Sequence, residues 1–148
     1  MLATVAEILI ASDDPALARD IEASIGGPDA TLRVVASGPE VLDEVRDEPP
    51  DLVILDLQIG NMGGMATCMN LRLETSGGRM AYVPVLMLLD RRPDVFLARR
   101  SGAEGWVIKP IDPIRLRRAV RTVLEGGEFH DPTSAPVPID ARPGSEVG

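Results

Sequence analysis

Five short aliphatic runs, each followed by a stretch of helical periodicity, constrain this chain more than anything else in it. The runs fall at residues 7–12, 31–36, 52–55, 83–89 and 105–108. Between them, Leu17, Ile21 and Ile25 recur every four residues, and Val41, Leu42 and Val45 mark the inner face of a second helix. A third helix is predicted around residues 65–74, and a fourth from Pro93 to Gly102. In the last helix Leu116, Val120, Val123 and Leu124 alternate with arginines. Continuous aliphatic strands alternating with amphipathic helices specify a parallel sheet covered on both faces. Right-handed crossovers then leave few topologies. The predicted fold is α/β, a doubly wound (βα)5 unit with a five-stranded parallel sheet in the flavodoxin-like order 2-1-3-4-5. Ligands of such sheets bind beyond the C-terminal strand ends.

The strand ends are where charge collects. Asp13 and Asp14 follow the first run, Asp56 the third and Lys109 the fifth. In the expected order the first and third strands are neighbours, so three acids meet at one edge. Bare, they would repel and raise at least one pKa. A hard divalent cation with oxygen ligands, Mg²⁺, would relieve that. Acids holding Mg²⁺ opposite a lysine provide what in-line phosphoryl transfer needs: neutralised charge, positioning and a carboxylate nucleophile. Before Pro15, Asp14 also has the makings of a helix N-cap.

The rest of the composition narrows the class. A single cysteine, Cys68, cannot form an internal disulfide and suits a reducing compartment, and no basic leader precedes the first strand. No apolar run approaches membrane-spanning length, so the expected location is the cytoplasm, with no transmembrane segment. The net charge of −8 argues against generic nucleic-acid binding. It is uneven, however: residues 91–121 carry nine basic groups against three acids. The sole histidine, His130, excludes a histidine-based triad or zinc site, and no Gly-x-Gly-x-x-Gly follows the first strand. Asp13-Asp14-Pro15 is not the Asp-x-Asp of haloacid-dehalogenase phosphatases. Cys68 reads as a buried thiol within the third helix. The chain is therefore expected not to be an enzyme.

Taken together, four motifs resemble the receiver domain of two-component response regulators. They are the acidic pair Asp13-Asp14, the aliphatic strand ending in Asp56, the Pro84 to Met87 segment, and Gly105-Trp106-Val107-Ile108-Lys109-Pro110. All fall in the order and spacing of that family over residues 7–125. The resemblance implies that Asp56 accepts a phosphoryl group from a sensor histidine kinase. It implies that Asp13, Asp14, Asp56 and the backbone carbonyl of Gln58 bind Mg²⁺, and that Lys109 pairs with the phosphoryl group. It implies a cis Lys109–Pro110 bond, and puts Trp106 at the position of the family's switch aromatic.

Four positions depart from the pattern. Leu89 stands where the family has Thr or Ser, and Asp90 where it has a small residue. Leu89 cannot donate to a phosphoryl oxygen, a bond worth roughly 1.5–3 kcal/mol. Reversing a two-state switch from 1:99 to 99:1 takes about 5.5 kcal/mol. Asp90, if turned inward, would repel the phosphoryl group. Gly60 and Gly63 replace the usual Pro and Asp of the loop after Asp56 and are expected to loosen it.

The expected function is therefore a stand-alone phosphorelay receiver with a weakened switch, acting through protein docking. The alternative is an accessory subunit bound to a larger assembly independently of phosphorylation. Either would use the basic face of the fourth helix, fifth strand and fifth helix, with Arg99, Arg100, Arg115, Arg118 and an exposed Trp106 as anchors. A DNA-binding domain is not expected. Residues 126–148, rich in Pro and Gly and without periodicity, read as a tail that is extended or disordered unless bound to a partner, and the accessory subunit would dock through this tail as well.

Overall fold

The structure, a computed structural model, describes residues 5–131. The tail expected over residues 126–148 lies outside the described residues from 132 onward. The elements run β1 (Ala6–Ala11), α1 (Pro15–Ile25), β2 (Ala30–Val35), α2 (Gly38–Asp47), β3 (Leu52–Asp56), α3 (Gly64–Ser76), β4 (Val85–Leu89), a 3₁₀ turn (Arg92–Asp94), α4 (Val95–Ser101), β5 (Gly105–Ile108), α5 (Pro113–Leu124) and β6 (Phe129–His130). The strands form one parallel sheet in the order β2-β1-β3-β4-β5-β6. The doubly wound order is the expected one. The sixth strand is an addition, joined to α5 through Gly126-Gly127.

Alternation along the strands sorts the core into two layers. Ile8, Ile10, Leu52, Ile54, Leu86, Leu88 and Val107 face α1 and α5. Leu9, Ala11, Val53, Leu55, Met87, Leu89 and Trp106 face the side of α2, α3 and α4. Every residue of β3 and β4 is buried, as central strands covered on both faces must be. Each such aliphatic side chain stabilises the fold by about 1.5–3 kcal/mol.

Three helices, α1, α2 and α5, start where side-chain acceptors meet orphan amides. Asp14 accepts from Ala16 N (3.0 Å) and Leu17 N (3.4 Å), with Pro15 in the first turn. Ser37 caps α2 and Asp112 caps α5 in the same way.

Candidate functional site

Asp56 ends β3 at the C-terminal edge of the sheet and is 2% exposed. A carboxylate so buried needs partners on both oxygens. Its Oδ2 accepts from Ser12 Oγ (2.9 Å), and its Oδ1 accepts from Gln58 N (3.1 Å) and Lys109 Nζ (2.8 Å). The backbone turns tightly behind it, Ile59 N donating to Asp56 O at 3.1 Å. Gly64 allows this: a Cβ there would lie 2.7 Å from Asp56 O.

Lys109 reaches the site from the end of β5, where Lys109 N donates to Leu89 O (2.8 Å) and the Lys109–Pro110 bond is cis. Its ammonium also lies 2.8 Å from Asp90 Oδ1. Burial pulls its pKa down, but the hydrogen bonds and charges of Asp56 and Asp90 outweigh this and hold it above the ordinary lysine value. Asp90 thus turns inward, onto the lysine.

The acidic pair after β1 does not act as a pair, and the Asp14 expectation needs correcting. The inward position belongs to Ser12, which is 4% exposed and touches Asp56. Asp13 is exposed at the rim, its Oδ2 accepting from Gly60 N (3.1 Å). Asp14 spends its carboxylate on the first turn of α1. The strand run ends one residue earlier than an acid-pair reading needs, so every side chain after it is shifted by one. Ser12 carried no charge signal. Its position as the last small polar residue before the acids was the only trace of it.

Among the described residues no group of three or more His, Cys, Asp and Glu gathers as a metal site. Asp13, Asp56 and the Gln58 carbonyl would make an all-oxygen set. It suits Mg²⁺ in kind, since that ion commonly takes one or two carboxylates and keeps several waters. Three donors already occupy Asp56, against roughly four acceptor sites on a carboxylate. The set therefore fits the ion with few protein ligands.

The loop after Asp56 is tied rather than loose at Gly60. Gly60 O accepts from Gly38 N (3.3 Å), and a Cβ at Gly60 would sit 2.8 Å from Asp13 Oδ2. Beyond it, Asn61, Met62 and Gly63 all have positive φ, at 51°, 102° and 76°.

Leu89 is fully buried in the same apolar layer as Trp106. Trp106 itself is only 2% exposed, which corrects the expected exposed anchor. His130 stacks on its ring at 4.3 Å and 4°, and Arg99 lies 5.2 Å from the ring centroid. Trp106 Nε1 is buried without a hydrogen-bond partner among the described residues. Arg115 is also turned to internal use, 3.5 Å from Asp131. Arg100 and Arg118 remain exposed, Arg100 lying over the exposed ring of Phe96 at 5.3 Å. Cys68 is buried, donating to Ser101 O (3.3 Å), and burial raises its pKa.

The model of the response regulator receiver domain matches residues 8–121. The chain belongs to the response regulator receiver domain family. It is 36% identical over 123 residues to the DNA-binding response regulator MtrA of Mycolicibacterium smegmatis, covering 82% of this chain and 51% of that protein. The transcriptional regulatory protein AfsQ1 of Streptomyces coelicolor is 30% identical over 130 residues, covering 86% of this chain and 55% of the relative. The chain thus spans about half the length of the curated relatives it matches. Among solved structures, the signal receiver domain of a histidine kinase from Syntrophus aciditrophicus superposes with a TM-score of 0.73 at 27% identity, over 82% of this chain and 92% of that one. Chemotaxis response regulator CheY4 of Vibrio cholerae shares the fold, with a TM-score of 0.72 at 22% identity over 81% of this chain and 99% of that one. The chain is thus a receiver domain of two-component signalling, and among the described residues no helix is long and apolar enough to cross a membrane.

Proposed function

We propose that Asp56 accepts a phosphoryl group from a histidine kinase and that this event is only weakly transmitted to the surface. The position of Lys109 Nζ carries the reading: it lies 2.8 Å from Asp56 Oδ1 and 2.8 Å from Asp90 Oδ1. In the transfer, an Asp56 oxygen attacks phosphorus as the donor's leaving group departs in line. Ser12 Oγ and Gln58 N hold the carboxylate in place before the attack. The Lys109 ammonium offsets the negative charge that arrives. Bound by Asp13, Asp56 and the Gln58 carbonyl, Mg²⁺ would neutralise charge on the transferring group.

Two residues weaken the passage of that event to the surface. Asp90 already holds the lysine that a phosphoryl group would recruit. Leu89 offers no hydroxyl to draw toward that group, and Trp106 is already inward. Little of the family's movement is left to make. Incubating the protein with a small-molecule phosphodonor and Mg²⁺ and reading intact mass tests the chemistry. One phosphoryl group should be gained by the natural chain and none by Asp56→Asn. Equal gain in both would overturn the assignment.

The exposed basic face favours a second reading, constitutive docking to an acidic protein partner in the cytosol. Arg100, Arg118, Phe96 (60% exposed) and Ile114 (62% exposed) lie on α4 and α5, the first pair supplying charge and the second apolar contact. An Arg100→Glu/Arg118→Glu double variant should lose a captured partner that Asp56→Asn retains. Retention by both would count against it.

A further inference from the structure

The short strand β6 and Asp131 grip β5 by three kinds of contact and α5 by a fourth. Their backbones pair Gly105 with Phe129 and Trp106 with His130. The His130 ring stacks on Trp106 at 4.3 Å. Asp131, 1% exposed, accepts from Ile108 N at 2.8 Å and lies 3.5 Å from Arg115 Nε. The approach depends on a missing side chain, because a Cβ on Gly105 would stand 2.7 Å from Phe129 O.

The grip is specific but small. Among the described residues only two pair, and the His130 side chain is 47% exposed. The strand hangs from α5 by Gly126-Gly127, with Gly126 at φ +90°. Elements with few buried contacts open locally, well below the free energy of global unfolding. Beneath it, the Trp106 indole N–H is buried without a partner among the described residues. Such a group gains a water partner when released, so burial holds the ring against its own solvation.

We propose that Phe129–Asp131 is a latch on the β5 edge. Closed, it pins Trp106 inward and covers the last strand of the sheet. Open, it frees the indole and bares the β5 edge. The latch does not depend on phosphoryl transfer at Asp56. Two measurements test it, and Trp106 is the sole tryptophan of the chain, so fluorescence reports it alone.

In the intact protein, hydrogen exchange should be about tenfold or more faster at the Ile108 and Phe129 amides and the Trp106 indole than at the Leu57 amide, which bonds Leu88 O between the central strands. Asp131→Asn and Gly105→Ala should each red-shift the emission of Trp106 and raise its acrylamide quenching constant about twofold or more. Exchange of Ile108 and Phe129 in step with Leu57 would overturn the latch. So would folded variants whose quenching matches the natural chain. If the variants fail to fold, exchange in the natural chain decides alone.

Discussion

At the scale of single residues, the consequence lies in how one ammonium is shared. Lys109 serves Asp56 and Asp90 at equal distance, so removing Asp90 should return it to the acceptor. Asp90 is about one-third exposed, which screens the pair to roughly 1 kcal/mol or less. Asp90→Ala should therefore accelerate phosphorylation of Asp56 by a small-molecule donor roughly two- to fivefold, read by intact mass over time. Leu89→Thr should act on the readout and on stability together. It empties part of a fully buried site and places a hydroxyl there, so urea unfolding should show a loss of about 2–4 kcal/mol. In the variant that remains folded, phosphorylation should move Trp106 emission, whereas in the natural chain the emission should stay nearly constant.

At the scale of elements, the two aspartates after β1 should separate cleanly. Asp14→Ala removes the α1 cap and should cost about 1 kcal/mol in chemical denaturation while leaving Mg²⁺ binding intact. Asp13→Ala should weaken Mg²⁺ binding, measured by calorimetry, with little change in stability. Why the sequence misassigned this pair is a matter of register. Aliphatic runs and helix periods reveal that strands and helices exist, and so the sheet order, the Asp56 strand end and the approach of Lys109 were all legible. Which way a side chain points after a strand depends on a single residue of phase, and the acids themselves carry no periodicity to set it. The inward turn of Asp90 depends on its rotamer, which composition does not encode. The strand β6 was invisible for another reason: two residues beside two glycines are too short to show alternation, and only their contacts with Gly105 and Trp106 make them a strand.

At the scale of the whole molecule, alkaline pH should find two weak points. Tyr82 donates to Glu104, which also pairs with Arg72. Burial and then the Glu104 hydrogen bond push the Tyr82 pKa up to about 12, so its neutral form is favoured in the folded chain. A tyrosine with a raised folded pKa contributes stability that is complete below about pH 10 and is lost as pH climbs toward 12. Lys109, also raised, loses its contribution over the range above the ordinary lysine value. Midpoints of urea unfolding should hold steady near neutrality and fall above about pH 10, and Tyr82→Phe should flatten part of that fall.

The pocket has one more property, set by its balance of signs. Asp56 and Asp90 hold a single ammonium, with Asp13 exposed at the rim, within a chain of net charge −8. An anionic phosphodonor approaching a chain of that net charge meets repulsion at long range. Fields of this kind govern how often molecules meet, not how they react once met. Raising ionic strength from 0.01 M to 0.15 M shortens their reach from about 30 Å to about 8 Å. Salt should therefore speed capture of a small anionic donor, and a protein donor that presents positive charge around its phosphohistidine would be drawn in by the very field that turns the small one away.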